Sequence, residues 1–147
     1  MAIVRKATAV WQGTGLEGKG TLSAPSKFFD NTPYGYKPRF QNEDGTLGSN
    51  PEELIAASHA GCFAMALSFA IVGAGFTADE LKVDAKVVLE PTDDGFGITG
   101  ITLTLQGKVS GMGEAQFMEL AEKAKQTCPI SKALSSVPIH LEASFVS

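Results

Sequence analysis

The sequence predicts an α+β fold in which helices pack against mostly antiparallel sheet. Three observations predict it: short β-rich segments near the N-terminus, an uncharged run from Leu54 to Val72 that is too long for a strand, and alternating segments after residue 80 followed by a second helical period. The order is therefore strands, long helix, strands, helices, strand. A chain of 147 residues is one domain's worth, and residues 1–147 are read as a single domain.

Ala2 to Trp11 and Gly18 to Ser23 read as a hairpin, with Gly13, Gly15 and Gly18 supplying the turn. Pro25 to Phe40 reads as irregular, with three prolines, Phe28 and Phe29, and then PYGYKPRF. Its aromatics either pin a long loop to the body or line an apolar ligand pocket. Arg39 is the last arginine of the chain, and the polar turn Gln41 to Ser49 follows it.

The central element starts at Asn50, a good N-cap. Pro51 suits the first helical position, and Glu53 falls where a capping-box carboxylate sits. Ala56, Ala57, Ala60, Gly61, Ala64 and Ala66 leave room for another backbone, and Cys62 lies inside this helix. Its length admits a membrane span. Ser58, His59 and Ser68 within the run, acids at one end and the lack of a flanking basic cluster or aromatic belt argue against one. A helix apolar nearly all round is otherwise a buried centre, which leads to the expectation of a dimer whose central helices meet.

Gly73 and Gly75 supply a stop. Leu81 to Leu89 and Phe96 to Val109 then read as a second hairpin joined by PTDDG. A helix follows from Gly111 and Gly113 to about Gln126, with Phe117, Leu120, Ala121 and Ala124 as its apolar stripe. Pro129 suits the first position of another short helix, which puts Cys128 at or beside its N-cap. Ile139 to Phe145 closes the chain as a strand.

Twelve basic against sixteen acidic residues leave a formal charge of −4, which argues against nucleic acid as a partner. Residues 1–20 hold no apolar signal-peptide core, so the expected compartment is the cytoplasm. There the two cysteines read as free thiols, any bridge between them being transient.

Cys62, taken alone, is an inert core thiol. It sits twelve residues past Asn50, about 18 Å at 1.5 Å per residue, while the helix dipole acts within about one turn. A guanidinium beside it would favour the thiolate, and Arg39 is the candidate, with Glu52 as the carboxylate a buried arginine needs. Glu52 and Cys62 are about 15 Å apart along one helix, so sharing Arg39 calls for antiparallel central helices from two chains. Cys128 has the complementary setting, because a helix N-terminus stabilises its thiolate. One cation-activated thiol and one helix-capping thiol suggest peroxide chemistry, in which Cys62 becomes a sulfenic acid and Cys128 condenses it to a disulfide. Two other classes stay open: a zinc site from His59, Cys62, Cys128 and His140, and a carrier of an apolar ligand with incidental cysteines.

The run NPEELIAASHAGCFAMAL resembles the signature of the osmotically inducible protein C and organic hydroperoxide resistance (OsmC/Ohr) family, and TCPIS matches the second cysteine motif of that family. The likeness also takes in the Trp11 strand, the GFGITGI hairpin and the last strand, and PYGYKPRF is closer to the OsmC branch. The resemblance implies an OsmC-like fold, antiparallel sheets around a long central helix in an intertwined homodimer. It implies a thiol peroxidase reducing organic hydroperoxides, and less readily hydrogen peroxide, with no cofactor or metal. It implies Cys62 as the peroxidatic thiol, Cys128 as the resolving one linked to it by an intramolecular disulfide, and Arg39 with Glu52 as the activating pair. A dithiol such as a lipoyl group on a partner protein is the implied reductant.

Overall fold

The computed structural model describes residues 1–42, 45 and 48–147. Of the turn expected over Gln41 to Ser49, Glu43, Asp44, Thr46 and Leu47 lie outside the described residues. The chain divides into two compact units, Met1–Leu54 and Ile55–Ser147, and the long helix α2 (Pro51–Gly73) begins in the first and continues through the second.

In the first unit, β1 (Thr8–Gln12) and β2 (Lys19–Ser23) pair antiparallel from Thr8↔Ser23 to Gln12↔Lys19. β1 starts later than the expected Ala2 because β2 ends at Ser23 and Pro25, just beyond, has no N–H to offer. Gly20 is required here: a Cβ on it would come within 2.5 Å of the Tyr34 ring and 2.6 Å of the Trp11 ring. The run Pro25 to Phe40, expected to be irregular, holds two short elements. β3 (Thr32–Tyr34) pairs antiparallel with β2, and α1 (Tyr36–Phe40) follows Gly35 directly. Pro38 is tolerated in α1 because it lies in the first turn, where N–H groups have no intrahelical acceptor.

α2 begins as its sequence dictates. Asn50 Oδ1 accepts the Glu53 N–H at 2.8 Å, the N-cap bond that satisfies one orphan donor. Its end is a Schellman closure around Gly75 (φ +92°), with Gly75 N–H donating to the Val72 carbonyl and Phe76 N–H to that of Ile71.

In the second unit, β4 (Glu80–Thr92) and β5 (Gly95–Lys108) form the expected hairpin, closed by a two-residue Asp93-Asp94 turn tighter than PTDDG suggested. α3 (Glu114–Thr127) and α4 (Pro129–Ala133) then carry the chain to β6 (Ile139–Val146). β6 is the exception to the mostly antiparallel pairing expected. It pairs parallel with β5, from Ile101↔Ile139 to Lys108↔Val146, because the two helices between them form a crossover instead of a hairpin. Ile101, Leu103 and Leu105 of β5 share one fully buried cluster with Phe63, Leu67 and Ile71 of α2 and with Phe117 and Ala121 of α3. Each large side chain so buried is worth about 1.5–3 kcal/mol. Gly107 makes room for the Phe117 ring, which would collide with any Cβ there.

The burial expected all round α2 is found on one face. Phe63, Leu67 and Ile71, four residues apart, are buried, whereas Met65, Phe69 and Val72 are 62%, 72% and 61% exposed. By length and composition alone the helix is apolar enough to cross a membrane.

Candidate active site

Two constellations hold the residues to which the sequence points, one in each unit. In Met1–Leu54, Arg39 comes from α1 and Glu52 from the first turn of α2. The Arg39 Nε donates to both carboxylate oxygens of Glu52 at 3.2 Å, and Nη2 donates to Oε1 at 2.8 Å. This fork suits a planar guanidinium and fixes its orientation, which a single-point lysine contact would not. Glu52 is buried, the Arg39 side chain is 38% exposed, and the guanidinium carbon lies 5.0 Å from the centre of the Phe40 ring. The pair forms within one chain.

Arg39 borders a cavity of about 730 Å³, lined among others by Trp11, Leu16, Tyr34, Tyr36 and Phe40. The Tyr36 and Phe40 rings pack 5.0 Å apart, and those of Trp11 and Tyr34 5.5 Å. Aromatic rings beside a cation suit a ligand with one apolar end and one polar end. Phe28 takes no part in the lining. It stacks edge-on with Phe29 and is 81% exposed, so the pocket-lining role belongs to the second half of the aromatic run.

In Ile55–Ser147, Cys62 lies inside α2 and Cys128 is the N-cap of α4, where Pro129 places it. Their sulfurs are 3.0 Å apart in a hydrogen bond between free thiols. A disulfide needs about 2.05 Å, so bond formation asks for a shift of about 1 Å and no refolding. Burial pushes the Cys62 thiol up, as does the hydrogen bond with Cys128; the Ile130 N–H offsets only part of this. Burial also raises Cys128, but the hydrogen bond with Cys62, the N–H and hydroxyl of Ser131 and the N–H of Ile130 outweigh it and leave the thiol below its ordinary value. Cys128 closes no capping hydrogen bond of its own.

The zinc inventory is not assembled. His140 is exposed on β6, His59 turns its Nε2 to Ser131 Oγ at 2.7 Å, and no group of three or more His, Cys, Asp or Glu among the described residues could hold a metal ion. Ser131 is the site residue that the sequence reading missed. Its signal was available in the spacing: CPIS sets a serine three residues after its cysteine, as SHAGC sets a histidine three residues before.

Comparison with known proteins gives the family. Residues 42–142 match the family described as OsmC-like protein. The chain is 43% identical over 136 residues to the peroxiredoxin OsmC of Escherichia coli, covering 92% of this chain and 93% of that one. It is 36% identical over 97 residues to an organic hydroperoxide resistance protein of Xanthomonas axonopodis pv. citri, covering 65% and 66%. Among crystal structures, the organic hydroperoxide resistance protein OhrB of Bacillus subtilis superposes with a TM-score of 0.73 at 25% identity, covering 95% of this chain and 98% of that one. An OsmC-like protein from Mycoplasma pneumoniae, 18% identical, shares the fold with a TM-score of 0.76 over the full length of both chains.

Proposed function

Because the chain belongs to the OsmC family, we propose that it detoxifies hydroperoxides as a thiol-dependent peroxidase. The observation that carries the reading is the pair of free thiols 3.0 Å apart on two helices. The family relatives named for peroxiredoxin activity and for organic hydroperoxide resistance support the substrate class.

In the proposed cycle the Cys62 thiolate attacks the terminal oxygen of an organic hydroperoxide. The O–O bond breaks, the alkoxide leaves and takes up a proton as the alcohol, and Cys62 becomes a sulfenic acid. Cys128 then attacks the Cys62 sulfur, the S–O bond breaks and water leaves, giving the intramolecular disulfide. A dithiol, such as a lipoyl group on a partner protein, returns both thiols by exchange.

Burial alone disfavours the Cys62 anion, so the first step needs a cation. In this reading the Arg39–Glu52 pair supplies it, with Glu52 holding the guanidinium in place. The apolar cavity that Arg39 borders takes the organic part of the peroxide. The working unit is an intertwined homodimer in the cytoplasm, in which the exposed Met65–Phe69 face of α2 is covered by a second copy. Hydrogen peroxide, lacking an apolar end, is the poorer substrate.

The test is one equivalent of an organic hydroperoxide added to the reduced protein, followed by peptide mass spectrometry. A new bond between residues 62 and 128 is the expected product. Unmodified thiols with the peroxide left intact would end the proposal, and sedimentation of the reduced protein as a monomer would end its dimeric part.

A further inference from the structure

That cycle leaves one buried polar pair without a task. His59 is fully buried and Ser131 nearly so, and neither an imidazole nor a hydroxyl is buried without cost unless its hydrogen bonds repay the lost water. Their hydrogen bond, 2.7 Å between Nε2 and Oγ, joins α2 to the first turn of α4. His59 stands three residues before Cys62, and Ser131 three residues after Cys128. His59–Ser131 and Cys62–Cys128 are therefore two neighbouring rungs between helical turns that run in opposite senses.

The Ser131 hydroxyl has one hydrogen and two directions for it. Turned toward Cys128, where it favours the thiolate, it leaves Oγ to accept from His59, which then carries its proton on Nε2. The other tautomer puts that proton on Nδ1, which has no hydrogen-bond partner among the described residues. It would leave a buried donor unsatisfied and would turn the serine hydrogen away from the sulfur. The first arrangement satisfies more of the buried groups. Burial holds the His59 imidazole neutral, so it acts through an N–H and not through a charge.

We infer that His59 and Ser131 are positioning residues for the resolving step. Their hydrogen bond, 2.7 Å long, braces the start of α4, which Cys128 caps, against the turn of α2 that carries Cys62. This rests on the thiol-peroxidase reading above. In the step it serves, the Cys128 sulfur supplies the electron pair for the new S–S bond, the S–O bond of the Cys62 sulfenic acid breaks, and the departing hydroxide takes up one proton to leave as water. The organic hydroperoxide is the oxidant. The braced hydroxyl stabilises the attacking anion, and stabilises it again as leaving group when a dithiol reopens the bridge. Among the described residues, Cys62 is the titratable group that acts on Cys128 directly.

The experiment is a single turnover of the reduced full-length protein with cumene hydroperoxide, following sulfenic acid formation by dimedone trapping and disulfide closure separately. Ser131→Ala and His59→Leu should leave the first step unchanged and slow closure by about tenfold, the worth of one hydrogen bond to a charged group. His59→Gln keeps a donor where Nε2 stood and should restore closure, which a general loss of packing would not allow. A second readout needs no peroxide. In a Cys62→Ser background Cys128 is the sole thiol, and adding Ser131→Ala should move the midpoint of its thiolate absorbance upward. Closure at the parental rate in Ser131→Ala and His59→Leu, or an unmoved midpoint, overturns the inference. If Cys62→Ser itself still consumes peroxide, it is the assignment of Cys62 as the attacking thiol in the proposed function that fails.

Discussion

Cys62 and Cys128 touch, yet the middle of α2 and the start of α4 treat a thiol in opposite ways. Cys128 is the more deeply buried of the two and still has the lower pKa, whereas half-buried Cys62 is raised. Place along a helix accounts for the difference. At the beginning of α4 the N–H groups of Ile130 and Ser131 have no carbonyl to bond and face the sulfur. In the middle of α2 the helix's own N–H groups are spent on its ladder, and the one outside donor, the Ile130 N–H, offsets only part of the effect of burial. Burial by itself therefore says little about whether a cysteine is reactive.

The sharpest way to break this contrast is to remove each sulfur in turn. Cys62→Ser should abolish peroxide turnover, while Cys128→Ser should consume one equivalent and then stall or over-oxidise, as read by peroxide loss against protein concentration. The reverse pattern would mean that the sulfur with the lower pKa in the single chain is the one that attacks. Next in size, Arg39→Ala should raise the Cys62 pKa by about one to three units and slow its reaction with peroxide accordingly. The rate of Cys62 alkylation against pH checks this, and an unchanged curve would leave Cys62 without its proposed cation.

The two helix starts also differ in how they are capped. Asn50→Ala removes a 2.8 Å capping bond from α2 and should cost about 1 kcal/mol in denaturant unfolding. Cys128 caps α4 without such a bond, so Cys128→Ser should leave stability within about 1 kcal/mol of the parent despite stalling the cycle. The smallest effect is one of pH. His59 titrates below its ordinary 6.5 when folded, so in that window the unfolded chain binds a proton that the folded chain does not. Stability is then full above that value and falls as the pH drops through it. His59→Gln should flatten this part of the curve in denaturant midpoints measured against pH.

Much of the contrast was legible in residues. Asn50, Pro51 and the glycines at 73 and 75 marked the ends of α2, and Pro129 put Cys128 at a helix start. Contact between the two sulfurs was not legible, since they lie 66 positions apart and no local pattern records which distant elements pack together. β3 and α1 are three and five residues long, too short for either period to register. The one-sided burial of α2 escaped for a different reason: its faces are nearly equally apolar, so nothing in the sequence distinguished Phe63 from Phe69. The Arg39–Glu52 pairing was readable as a need for a counter-charge, but its closure within a single chain depends on α1, which was not foreseen.

Cys62 and Cys128 lie 66 positions apart, and the chain between them includes the β4–β5 hairpin and all of α3. Tying it into a ring would strip freedom from the unfolded chain worth about 4 kcal/mol by loop-closure entropy. A molecule that has just met an oxidant would then be sturdier than one waiting for it, and heat resistance alone would reveal which of the two it is.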